Sequence, residues 1–145
     1  MPNSQLQEFL DGGGSRPYRE LVQHHVNRTP VRQLQMAVMG EAARCPITLS
    51  PDVVMEFIDL TGAQLGYDKE FWKLATCREA LDRIVDIAAL YLPREAFGGL
   101  DDTLLPANHD LVFCLFQIAT LSFAYSASLQ RKQRKFMGIR KGILG

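Results

Sequence analysis

The stretch from Leu111 to Leu129, LVFCLFQIATLSFAYSASL, has no charged residue, and it decides how the rest of the chain is read. Its length is roughly that needed to cross the hydrocarbon core of a bilayer. Arg131, Lys132, Arg134 and Lys135 follow closely, and an apolar run trailed by cations is the pattern of a membrane anchor with a cytoplasmic flank. The polar side chains argue the other way. Gln117, Thr120, Ser122, Ser126 and Ser128 interrupt the run, and a buried amide or hydroxyl needs a partner wherever water is excluded. At helical spacing, Gln117, Thr120, Ala124 and Ser128 share one narrow face with Asp110 and Arg131, and almost everything else on the helix is apolar. A helix of this kind is covered on most sides, by protein or by lipid.

The segments upstream supply the cover. Ser4 and Gln7 have capping-box spacing, which predicts a short helix to Leu10, ended by Asp11-Gly12-Gly13-Gly14 acting as a flexible joint. Ser15 is placed to cap a helix through Asn27, Thr29-Pro30 to open a third that Cys45-Pro46 closes, and Ser50-Pro51 to open a fourth. In the fourth, Val54, Phe57, Ile58, Thr61 and Leu65 recur at helical spacing up to Gly66. Asp68 begins a segment with Phe71, Trp72 and Leu74. Thr76-Cys77-Arg78-Glu79 is a second capping box, and Leu81, Ile84, Val85, Ala88 and Leu92 form the apolar stripe behind it. Pro93 ends that helix, residues 93–108 carry the turn signals Gly98-Gly99, Asp101-Asp102 and Pro106, and Asn108 caps the last helix, which meets no Gly or Pro until Gly138. The expected fold is all-α, a single-domain bundle of about six helices wrapped around the long apolar C-terminal helix, with residues 1–14 a mobile arm and 131–145 a basic tail.

The chain has 145 residues, of which 47% are apolar and 22% charged. That is an ordinary composition for one folded domain and unlike that of a disordered chain. Its formal net charge of zero conceals a division. Residues 1–110 hold all 16 acidic side chains, while the charged side chains of 111–145 are all basic: Arg131, Lys132, Arg134, Lys135, Arg140 and Lys141. Cations in the last turns of a helix stabilise its negative end, and the same cluster is an electrostatic patch for nucleic acid or an anionic membrane. Phe136 is the only aromatic residue in the tail, which gives base stacking little support.

Chemistry-bearing residues do not assemble into a motif. His24 and His25 point about 100° apart on a helix, and Glu20 with His24 supplies too few ligands for a metal. Glu79, Asp82 and Asp86 share a face, but Arg78 and Arg83 lie among them, with Glu79 and Arg83 spaced for an ion pair. Gly12-Gly13-Gly14 follows no strand and precedes no Gly-Lys-Ser/Thr, so it is not a phosphate loop. Asp101-Asp102 lacks the oxygen spacing of a calcium loop. Cys45, Cys77 and Cys114 are odd in number and widely spaced, which predicts reduced, mostly buried thiols. Residues 1–14 show no secretory pattern, so a cytoplasmic location is expected.

The resulting expectation is a non-enzymatic helical interaction module, an adaptor or regulatory subunit, using no cofactor, no metal and no catalytic residue. Its partner is another protein or a second copy, met at the small-residue seam Gln117, Thr120, Ala124 and Ser128. The alternatives are a membrane anchor at 111–129 and, less favoured, nucleic-acid binding through the basic tail.

Overall fold

The C-terminal helix forms and is the scaffold for the other elements. A computed structural model describes the backbone of residues 5–62, 69–90 and 109–144, with the side chains of those residues except Lys69, Trp72 and 133–144. In chain order the helices are α1 (Gln5–Gly13), α2 (Tyr18–Arg28), α3 (Val31–Ala43), α4 (Pro51–Thr61), α5 (Lys69–Leu74), α6 (Cys77–Ala88) and α7 (His109–Leu144). The architecture is all-α: α1, α2, α3, α4 and α6 pack against α7, and α5 lies beside α2. Ser4, Asp68 and Asn108, expected as caps, and the turn signals of 93–108 lie outside the described residues, as does the expected continuation of α4 to Gly66.

Local signals account for two helix starts directly. The Ser50 hydroxyl accepts from the Val53 amide at 3.2 Å, with Pro51 in the first turn of α4. At α6, the Thr76 hydroxyl accepts from the Glu79 amide at 3.1 Å and donates to the Glu79 carboxylate at 3.2 Å. Each such cap contributes about 1 kcal/mol by satisfying an amide that the helix cannot. Helix α6 then turns Ala80, Leu81, Ile84, Ile87 and Ala88 inward and leaves Arg78, Glu79, Asp82 and Asp86 in solvent.

The core is centred on α7, where Leu111, Val112, Cys114, Leu115, Phe116, Ile118, Ala119, Thr120, Leu121 and Ala124 are all buried. By length and composition the segment His109–Lys132 could cross a membrane, yet 61% of its apolar window is buried within the fold. Leu6 from α1, Tyr18 and Val22 from α2, Leu34 and Val38 from α3, and Phe57 from α4 complete the cluster. Each large side chain moved out of water contributes about 1.5–3 kcal/mol.

The N-terminal segment departs from expectation. Helix α1 passes Leu10 and runs to Gly13, and the segment expected as a mobile arm is docked from Gln5 onward. Leu6 is buried, and the Phe9 ring lies 5.2 Å from Phe116 and 6.0 Å from Phe113. Ser15 does not cap α2, which begins at Tyr18 after Pro17. The reason is that residues 14–18 are committed to the start of α6 and the residues just before it. The Tyr18 amide donates to Ala75 O at 2.9 Å, Cys77 N to Arg16 O at 2.8 Å, and Arg78 N to Gly14 O at 2.9 Å. At its other end the chain holds a further difference, since the backbone of α7 continues through Gly138 to Leu144. A single helical glycine costs only about 1 kcal/mol and does not by itself end a helix.

Gly14 is therefore a point of close approach. A Cβ there would stand 2.7 Å from the Leu10 carbonyl oxygen, a backbone atom, whereas Gly12 faces open space. Gly14→Ala is expected to destabilise the fold by about 1–3 kcal/mol through overpacking. Gly12→Ala, inside α1, is expected to stabilise it by about 0.5–1 kcal/mol. Urea unfolding of both variants checks the pair, and a Gly14→Ala midpoint equal to that of the parent chain would contradict the close approach.

Candidate functional site

The seam picked out on α7 is occupied by the chain itself. Thr120, Ala124 and Ser128 are all buried. The Thr120 hydroxyl donates to Phe116 O at 2.7 Å and lies 3.0 Å from the Tyr18 hydroxyl of α2. Near the other end of α2, Asn27 Oδ1 accepts from the Arg131 guanidinium at 3.5 Å. Tyr18 at Thr120 and Asn27 at Arg131 fix α2 parallel to α7. Thr120 serves this internal approach, and Thr120, Ala124 and Ser128 are all covered within the fold. Buried Tyr18 is fully desolvated, which pushes its phenol far above the ordinary value, with the Thr120 hydrogen bond partly opposing. The Ser122 and Ser128 hydroxyls find no hydrogen-bond partner among the described residues.

Gln117, the remaining seam residue, is half-buried and lines an open cavity of about 540 Å³ with Glu41, Arg44, Pro46, Asp110 and Cys114. Cys114, on its wall, meets a second thiol. Cys45, in the connection after α3, and Cys114, on α7, bring their sulfurs to 2.7 Å, and the Cys114 thiol also donates to Glu41 O at 3.1 Å. The hydrogen bond from Cys114 pulls the Cys45 thiol below its ordinary value, against burial and the nearby Glu41 carboxylate. The same bond, with burial, pushes Cys114 far up. Cys77, buried at a second cavity of about 350 Å³ beside Arg16, Glu20 and His24, is pushed up by burial.

A third feature is the outward face of α3. Met36 and Met39 are 68% and 70% exposed, Ala43 is exposed, and Gly40 opens onto free space. These positions recur at i, i+3, i+4 and i+7 and so form one stripe. Exposed Arg32 stands at one end and Arg44 at the other. Arg44 pairs with Glu41 at 3.5 Å but remains 79% exposed.

The other sequence candidates are dispersed. Arg131 and Lys132 are exposed on α7; Arg134, Lys135, Arg140 and Lys141 follow in its helical backbone, and their side chains lie outside the described residues. His24 and His25 place their rings 5.9 Å apart, and burial with His24 beside it lowers the His25 imidazole. Arg83 lies over the Phe71 ring, 4.0 Å from its centre. Asp82 is raised by partial burial, which Arg78 opposes and Asp86 and Glu79 reinforce. Among the described residues no three His, Cys, Asp or Glu side chains converge as a metal site. Comparison with protein-family models, curated proteins and solved structures finds no match to this chain.

Two of these features escaped the sequence reading. Cys45 and Cys114 are 69 residues apart, with no spacing signal to join them. The stripe on α3 had a signal, because Leu34, Met36, Val38 and Met39 supply more apolar side chains than one inward face can use. In reduced protein, iodoacetamide is expected to modify Cys45 before Cys77, and Cys45 is expected to keep more of its rate as pH falls from about 8 to 7, since only thiolate reacts. Peptide mapping by mass spectrometry over time reads the order, and faster modification of Cys77 would contradict it.

Proposed function

We propose that the chain is a non-enzymatic helical interaction module that docks an amphipathic helix of a partner protein on the outward face of α3. The observation that carries this reading is the exposed Met36-Met39-Gly40-Ala43 stripe, bounded by Arg32 and Arg44. Methionine is unbranched and polarizable, which suits a surface that must adapt to another helix. Gly40 and Ala43 let that helix come close, and a large solvent-facing apolar side chain on a packed helix gains from being covered.

Charge selects the occupant. In an antiparallel pairing of two α3 helices Arg32 would face Arg44 of the other copy, and in a parallel pairing each arginine would face its equivalent. Like charges across an interface are costly, whereas carboxylates flanking the apolar stripe of a partner helix complement both ends. The burial of 61% of the apolar window in His109–Lys132 supports a cytoplasmic module over a membrane-anchored one.

The probe is a synthetic helical peptide with leucines at i, i+3, i+4 and i+7 and flanking glutamates, compared with the same peptide carrying flanking lysines. Fluorescence anisotropy with the full chain is expected to show binding of the acidic peptide only, weakened about tenfold or more by Met36→Glu with Met39→Glu. Equal binding of both peptides, absence of binding, or indifference to the substitutions would sink the proposal. A dimer in sedimentation that the same substitutions dissolve would assign the face to a second copy and overturn the partner reading.

A further inference from the structure

We propose that Cys45 and Cys114 form a reversible dithiol–disulfide site, oxidised by a low-molecular-weight disulfide, with Cys45 as the attacking thiol and Cys114 as the resolving one. This assignment rests on the thiol pair and not on the docking face of α3, with which it shares Arg44.

The geometry is that of a pair ready to close. The sulfurs stand 2.7 Å apart, far inside the separation of thiols that merely pack side by side and not far above the covalent length of about 2.05 Å. Cys45 lies in the irregular connection between α3 and α4, tied to the helix end only by a long 3.4 Å hydrogen bond from its amide to Ala42 O, while Cys114 is held in α7. The proton arrangement divides the roles. The Cys114 thiol donates to Glu41 O at 3.1 Å, and its contact with Cys45 lowers the Cys45 thiol while raising its own, so Cys45 is the sulfur that ionises first. Access favours the same order. Cys45 is half-buried and Cys114 buried, while the cavity of about 540 Å³ lined by Glu41, Arg44, Pro46 and Cys114 opens on the Cys114 side of the pair. Arg44, adjacent to Cys45 and 79% exposed, offers a cation to a carboxylate on the incoming molecule.

The exchange balances in two displacements. The Cys45 thiolate attacks one sulfur of the small disulfide, whose S–S bond breaks; one thiolate leaves and takes a proton from water. Cys114 gives its proton to water and attacks the Cys45 sulfur, and the mixed disulfide breaks to release the second thiolate. Two cysteine thiols are oxidised and one small disulfide is reduced to two thiols. The product ties the end of α3 to α7 and closes a long loop, which restricts the unfolded chain more than the folded one.

The test uses the full chain equilibrated over a range of reduced to oxidised glutathione, then acid-quenched and alkylated under denaturing conditions. Expected are loss of two hydrogens in the intact mass, alkylation of Cys77 alone, a Cys45–Cys114 linked peptide, reversal by dithiothreitol, and a higher urea midpoint for the oxidised form. Cys114→Ser should trap glutathione on Cys45, Cys45→Ser should prevent both the link and the adduct, and Cys77→Ser should leave the link intact. Circular dichroism confirms that each variant is folded, with Cys45→Ala and Cys114→Ala as replacements for any that is not. Alkylation of all three cysteines across the whole range, a link through Cys77, or links only between separate molecules would overturn the assignment.

Discussion

The Tyr18 hydroxyl, fully enclosed and 3.0 Å from the Thr120 hydroxyl, is the polar contact on which the packing of this chain depends. A phenol brings a large apolar ring into a core but demands a partner for its oxygen. Thr120 meets that demand while its own proton goes to Phe116 O, a helical arrangement that leaves its oxygen free to accept from Tyr18. A hydrogen bond of this kind is worth about 1 kcal/mol net, and leaving either oxygen buried without a partner costs about 1–3 kcal/mol. The consequence is register. A slide of α2 along α7 that moved Tyr18 away from Thr120 would break this bond beside Phe116 and Phe123, while Thr120 would keep its own bond to Phe116 O.

The same constraint organises the N-terminal half. Tyr18 is the first residue of α2, and its amide is bound to Ala75 O immediately before α6. The residue that locks α2 to α7 therefore also fastens it to the start of α6, and Gly14 and Arg16 extend that attachment by accepting from Arg78 and Cys77. Helix α1 follows because Gly14 allows the chain to turn back against Leu10 without a side chain in the way. The rings of Phe9 and Tyr18 both lie against Phe116, so one aromatic group joins α1, α2 and α7.

How much of this was legible in the sequence depends on the range of the signal. Ser50 and Thr76 were readable because a cap and its amide lie three residues apart. The apolar stripe of α6 and the length of α7 were readable because periodicity is local. Gly12-Gly13-Gly14 was misread, since glycine marks both a free joint and a close approach, and only the position of Leu10 O distinguishes them. Ser15 looked like a cap because its competitor, the backbone of 75–78, lies some 60 residues away. The seam on α7 was visible as Thr120, Ala124 and Ser128, but small residues say that something comes close and not what; the occupant is α2 of the same chain. Cys45 with Cys114, and the second apolar face of α3, needed the fold before they could be seen.

Enclosure of α7 by its own chain is the claim on which every functional reading rests, including the choice of the α3 face over the seam and of protein over lipid. Hydrogen exchange with mass spectrometry on the full chain in detergent-free buffer tests it most directly. The amides of 111–124 are expected to exchange at the slowest rate in the molecule, together with those of α2 around Val22, because both open only with the core. Fast exchange around Val22 with 111–124 protected only after detergent or lipid is added would contradict it.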